Sequence, residues 1–139
     1  SPLGLKEFKG FWYLVANDKG TIKVFGLDRI SGLAKHSEKA LIQNGFDLDE
    51  HFKHCYGIVR FPDSEPEEVL IKMKPIKAAY YKANPLHHSQ KIVEEKPDYV
   101  IISLFVYYTY DLKQELRSHL KDELEVIQPK DSLDSERYY

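Results

Sequence analysis

Apolar residues in the first third of the chain come in short, closely spaced runs. Phe11-Trp12-Tyr13-Leu14-Val15 is an aromatic and aliphatic stretch that favours β structure, and Gly4 and Gly10 flank the run before it. Thr21-Ile22-Lys23-Val24-Phe25 alternates as a returning strand, and Asn17-Asp18-Lys19-Gly20 between the two supplies hairpin residues that tolerate left-handed backbone. Leu27 to Leu33 reads as a third crossing. Short strands with glycines at their corners suit a small barrel better than a sandwich.

The pattern changes after residue 36. Asp47-Leu48-Asp49-Glu50-His51-Phe52 predicts a short helix with an acidic first turn, which the positive end of the helix dipole favours, and Phe61-Pro62-Asp63-Ser64-Glu65-Pro66 is a polar break. From Val69 the chain becomes regular. Val69, Ile71 and Met73 alternate as a half-buried strand, and Pro75 opens a helix whose stripe would be Ile76, Ala79, Tyr80 and Ala83 before Asn84-Pro85 stops it. Ser89 to Glu95 is a polar edge strand, and Tyr99 to Tyr107, apolar on both faces, is a central one. Asp111 and Gln114 have capping-box spacing ahead of a Leu112, Leu116, Leu120 stripe, and Leu124 to Ile127 closes the series. The order β-α-β-β-α-β is that of a ferredoxin-like unit.

The predicted class is therefore α+β, with a small barrel at residues 1–46, a linker carrying a short helix at 47–66, the β-α-β-β-α-β unit at 67–129 and a polar tail at 130–139. Composition adds limits. The chain of 139 residues is 42% hydrophobic with ten Tyr and seven Phe, so it can bury a core. One cysteine, Cys55, excludes an internal disulfide, and with no signal peptide in view the expected compartment is the reducing cytoplasm. The most apolar stretch, Val100 to Tyr108, is too short to span a bilayer as a helix. A net charge of −2 argues against broad phosphate neutralisation of duplex DNA, although residues 1–46 carry seven Lys/Arg against four Asp/Glu and make the better anion binder.

Phe11-Trp12-Tyr13-Leu14-Val15-Ala16, followed after a hairpin by Phe25-Gly26-Leu27-Asp28-Arg29-Ile30, resembles the WYL domain family. Pro85-Leu86-His87-His88-Ser89-Gln90 and Val126-Ile127-Gln128-Pro129 resemble the extension that follows such domains. The resemblance implies an Sm-like, SH3-type barrel that senses a ligand, in some members a nucleic acid, within a bacterial regulator whose N-terminal helix-turn-helix domain contacts DNA. Strands that the family has before Pro2-Leu3 do not appear here, so the barrel is expected to be partial and to stay open or to close against a second copy as a homodimer. Gly26 stands where many members carry a larger, often basic residue, and Lys23 where an arginine is frequent.

Several residues bear on chemistry. Trp12 and Tyr13 point to opposite faces of a strand, one packing inward and the other meeting the surface or the adjoining domain, and Trp12 suits either core or interface packing or stacking on a ligand. Arg29 can fork onto a phosphate or carboxylate, or serve a structural ion pair, and Asp28, on the opposite face of a regular strand, suits a turn acceptor. His51, His54 and Cys55 have helical spacing, but the second ligand pair of a structural zinc site is missing, so no metal or other cofactor is expected. His87 and Gln90 either line a cleft or satisfy backbone groups. The chain lacks a nucleophile elbow, a phosphate loop and paired zinc ligands, which argues against an enzyme. The expected function is an effector-sensing module, with Arg29 and Lys23 holding an anionic ligand such as a nucleotide or short single strand, Trp12 or Tyr13 stacking on it, Asp28 at the rim, and His87 or Gln90 reading polar edges. The competing expectation is a dimerisation module without a small ligand.

Overall fold

The structure, a computed structural model, describes residues 1–40, 45–60 and 63–130. Phe61 and Pro62 of the expected polar break, and residues 131–139 of the expected tail, lie outside them. The chain divides into two compact units, residues 1–53 and 54–139. The division falls inside the segment expected to be a linker.

The first unit is a three-stranded antiparallel meander of β1 (Pro2–Phe8), β2 (Phe11–Asp18) and β3 (Thr21–Gly26) in the order β1-β2-β3. Both connections are two-residue Lys-Gly turns. Lys9 and Gly10 have φ of 53° and 82°, and Lys19 and Gly20 have 53° and 88°, so both central residues of each turn are left-handed, the twist that joins antiparallel strands without splaying them. Each turn is clipped by a side chain, Glu7 Oε1 accepting from Gly10 N–H at 2.6 Å and Asn17 Oδ1 from Gly20 N–H at 2.7 Å.

After Gly26 the chain leaves the sheet. Leu27–Arg29 forms a 3-10 turn in which Ile30 N–H donates to Leu27 C=O at 3.2 Å, so the third crossing expected over Leu27 to Leu33 does not form. Helix α1 (Leu48–His51) forms where its acidic first turn predicts, with Asp47 accepting from the N–H groups of Asp49 and Glu50. Residues 47–53 belong to the first unit because they pack on it: Leu48 Cδ2 lies 3.3 Å from where a Cβ on Gly4 would stand, and Lys6 Nζ lies 5.4 Å from the ring centroid of the buried Phe52. The sheet does not close into a barrel among the described residues.

The second unit runs β4 (Glu67–Met73), α2 (Pro75–Ala83), β5 (Lys91–Glu95), β6 (Val100–Val106), α3 (Tyr110–Arg117) and β7 (Leu124–Gln128). Its sheet has the order β5-β6-β4-β7 with every neighbouring pair antiparallel. Two β-α-β segments are thus interleaved, each straddling a strand of the other. Period-two alternation gives β4 and β6 a common buried face of Val69, Ile71, Met73, Val100, Ile102, Leu104 and Val106, and the register sets Val69 against Leu104 and Ile71 against Ile102.

Helix α2 meets the core through other residues than its periodicity suggests. On α2 the buried residues are Ala78 and Tyr81, whereas Ile76 and Tyr80 of the predicted stripe are 73% and 55% exposed. Over only nine residues with a mixed pattern, periodicity does not fix the face of α2, and the buried face is the one whose tyrosine hydroxyl meets Glu115 and His119. On α3 Leu112 and Leu116 are buried as expected, but Leu120 falls beyond the helix and is exposed. The cap is Thr109 rather than Asp111, which sits in the first turn, and no side chain caps the helix, so the capping box does not form. We expect Leu104→Ala to cost about 2–5 kcal/mol in urea unfolding and Ile76→Ala less than about 0.5 kcal/mol, although the sequence stripe assigns Ile76 to the core as well.

Candidate functional site

Strand β2 is the middle of its sheet, so its register with both neighbours fixes what shares each face. Tyr13 stands opposite Lys6 on one side and Gly26 on the other, Leu14 stands between Leu5 and Phe25, and Trp12 faces Glu7. Trp12 and Tyr13 therefore lie on opposite faces, and the expected site residues separate accordingly.

The Trp12 face carries Leu5, Leu14 and Phe25 in one straight row. Leu5, Trp12 and Phe25 are 53%, 52% and 42% exposed. Lys23 belongs to this face as well, opposite Ala16. It is four residues along the ladder from Trp12, about 13 Å at the rise of a strand. Its ammonium is already engaged by Asp18 at 2.5 Å, and that contact holds the Asp18 carboxyl below its ordinary range. Glu7 is the other charge here, so the face is apolar with little free positive charge.

The Tyr13 face has a different character at its Gly26 end. Asp28 and Arg29 sit in the 3-10 turn rather than on a strand, so they do not diverge to opposite faces as a regular strand would require. A Cβ on Gly26 would meet Asp28 Oδ1 at 2.7 Å and the Cγ and Cδ of Arg29 at 3.9 Å. The space that a larger residue would fill at position 26 holds these two side chains. Both are exposed, and neither forms an ion pair among the described residues. Tyr13 is half-buried beside them in register, and Lys6, on the far side of Tyr13, was not picked out in the sequence because only the pairing brings it there.

His87 and Gln90 belong to the second unit, in the loop between α2 and β5. The Gln90 amide holds that loop in shape: Oε1 accepts from Leu86 N–H at 2.9 Å and Nε2 donates to Tyr81 C=O at 2.8 Å. His87 is buried, its Nδ1 accepts from Ser89 N–H at 3.1 Å, and Ser89 Oγ accepts from Phe105 N–H at 2.9 Å. Among the described residues no group of three His, Cys, Asp or Glu side chains could hold a metal ion.

A half-buried polar chain that the sequence did not suggest joins α2 to α3 and the residues just after it. The Tyr81 hydroxyl donates to Glu115 Oε1 at 3.1 Å and lies 2.6 Å from His119 Nε2. Burial first, and Glu115 second, push the Tyr81 hydroxyl well up from its ordinary value. Burial and then Lys77 hold the His119 imidazole below its ordinary 6.5, against the opposing pull of Glu115 and Glu123. These groups are far apart in sequence, and no spacing rule connects them.

With this geometry in place, comparison with known families is informative. Residues 1–34 match the WYL domain. The matched segment contains β1 to β3, the Trp12-Tyr13-Leu14 triplet and the 3-10 turn with Asp28 and Arg29. WYL domains are generally regulatory, ligand-sensing parts of transcription regulators and are associated with regulatory rather than catalytic roles. The second unit lies outside the WYL match, and no curated protein matches the chain. No helix among the described residues is long and apolar enough to cross a membrane.

A pH dependence follows from His119. Its folded pKa is depressed, so the folded state binds fewer protons than the unfolded one; the stability it contributes is present above about pH 6.5 and is lost as pH falls. Urea unfolding midpoints should decline from pH 7.5 to 5.5, and the decline should be shallower in His119→Gln.

Proposed function

We propose that the WYL segment and the unit after it form the effector-sensing part of a cytoplasmic bacterial transcription regulator, and that the effector is a nucleotide or a short single strand of nucleic acid. The observation that carries this reading is the Asp28-Arg29 turn, where the Asp28 carboxylate and the aliphatic stem of Arg29 lie together over Gly26, the register partner of Tyr13, and neither residue forms an ion pair among the described residues. Arg29 is suited to fork onto a phosphate, and Tyr13 is suited to stack on a base. Asp28 would repel a bare anion, but it accepts a hydrogen bond from an N–H-bearing base edge. The pair therefore fits a nucleotide better than a simple anion. Trp12 and Lys23, on the other face, take no part in this site.

In the same reading the open meander is a partial Sm-like, SH3-type barrel, and the sheet order β5-β6-β4-β7 supports a ferredoxin-like second unit. The effector would regulate by binding one conformation of the regulator better than another, and only that difference in affinity can reach a DNA-binding domain. No catalytic step is involved.

The row of Leu5, Leu14 and Phe25 with Trp12 favours a second reading, in which this face packs against another copy and the chain is a dimerisation module. The two readings use opposite faces and respond to different substitutions. In anisotropy titrations with labelled short single strands, and in competition with mononucleotides, we expect saturable binding that Arg29→Gln weakens about tenfold, the loss of roughly one charge-assisted contact. Binding unchanged in Arg29→Gln, or no saturable binding, would contradict the effector reading. Trp12→Glu should leave the affinity unchanged and lower the sedimentation coefficient if the face is a dimer contact.

A further inference from the structure

We infer that the cleft between the end of α2 and β5, wholly within the second unit, is a separate binding site for a small phosphomonoester bearing a flat or apolar group. The cleft has a volume of about 430 Å³ and is lined by Lys82, Pro85, His87, His88, Gln90, Lys91 and Ile92. A volume of this size is in the range of small-molecule sites. Its lining contains two ammonium groups and two imidazoles and no carboxylate. In a chain of net charge −2 this is a local concentration of positive and hydrogen-bond-donating groups.

The walls are held in place before any ligand arrives. Gln90 ties Leu86 N–H to Tyr81 C=O, and Ser89 ties the loop to Phe105 on β6. Because His87 Nδ1 accepts from a backbone N–H, its proton resides on Nε2, and the ring lies against His88 with centroids 4.0 Å apart and planes tilted by 36°. Lys82 is engaged by Glu95 from outside the lining, while Lys91 forms no ion pair among the described residues and is the cation available to a ligand. Pro85 and the 46% exposed Ile92 offer an apolar wall next to these charges. A group with a doubly charged head and a flat or apolar body uses both halves of the cleft, whereas free phosphate uses only one.

The inference is independent of the Arg29 reading, and one experiment separates them. Amide spectra of the full chain would be followed during titration with phenyl phosphate, inorganic phosphate and phenol, in wild type, Lys91→Gln, His88→Gln and Arg29→Gln. Saturable shifts confined to Leu86–Ile92 are expected with phenyl phosphate, weaker ones with phosphate and none with phenol. Affinity should fall several-fold in Lys91→Gln and in His88→Gln and stay unchanged in Arg29→Gln. Shifts that centre on Leu27–Ile30 and vanish in Arg29→Gln would overturn this inference while supporting the other site. Shifts at Leu86–Ile92 that persist unaltered in both Lys91→Gln and His88→Gln, or no shifts there at all, would also overturn it.

Discussion

The period of two along β2 governs what the first unit can do. Side chains on a strand alternate between faces, so one residue of register decides whether Tyr13 or Trp12 joins Gly26 and the Asp28-Arg29 turn. The register is pinned at both ends of β2 by Lys-Gly turns that admit little variation in loop length. Everything proposed for the segment that matches the WYL domain descends from that pinning: a charged, hydrogen-bonding corner on one face, and an apolar row on the other. The same alternation removes Lys23 from the corner that its charge seemed to fit.

In the second unit the constraint is a different one. Interleaving two β-α-β segments puts the chemically rich loops at strand and helix ends, while β4 and β6 supply a dry centre. A loop such as Pro85–Lys91 can then carry exposed cationic groups because its backbone is satisfied by its own side chains, with Gln90 and Ser89 committed to that task.

The strands and helices of both units were legible in the sequence, since alternation and turn residues are local properties. The Asn17-Asp18-Lys19-Gly20 hairpin, the short helix α1 with its acidic first turn and the β-α-β-β-α-β order all follow from neighbours a few positions apart. What was not legible depends on pairing. The face of α2 was misread because Ala78 and Tyr81 are selected by the sheet they cover and by the Glu115 and His119 contacts of the tyrosine, which lie 34 and 38 residues away. The strand expected after Gly26 is a turn because the chain leaves β2 there, and hydrophobicity alone does not mark that exit. Trp12 and Tyr13 were correctly assigned to opposite faces, but only the register says which face meets Arg29.

The most direct test is therefore of the register itself. Cross-strand backbone nuclear Overhauser effects in a labelled sample should connect Tyr13 with both Lys6 and Gly26, and Leu14 with both Leu5 and Phe25. Effects connecting Trp12 with Gly26 instead would show a one-residue slip that exchanges the two faces, and would contradict the account.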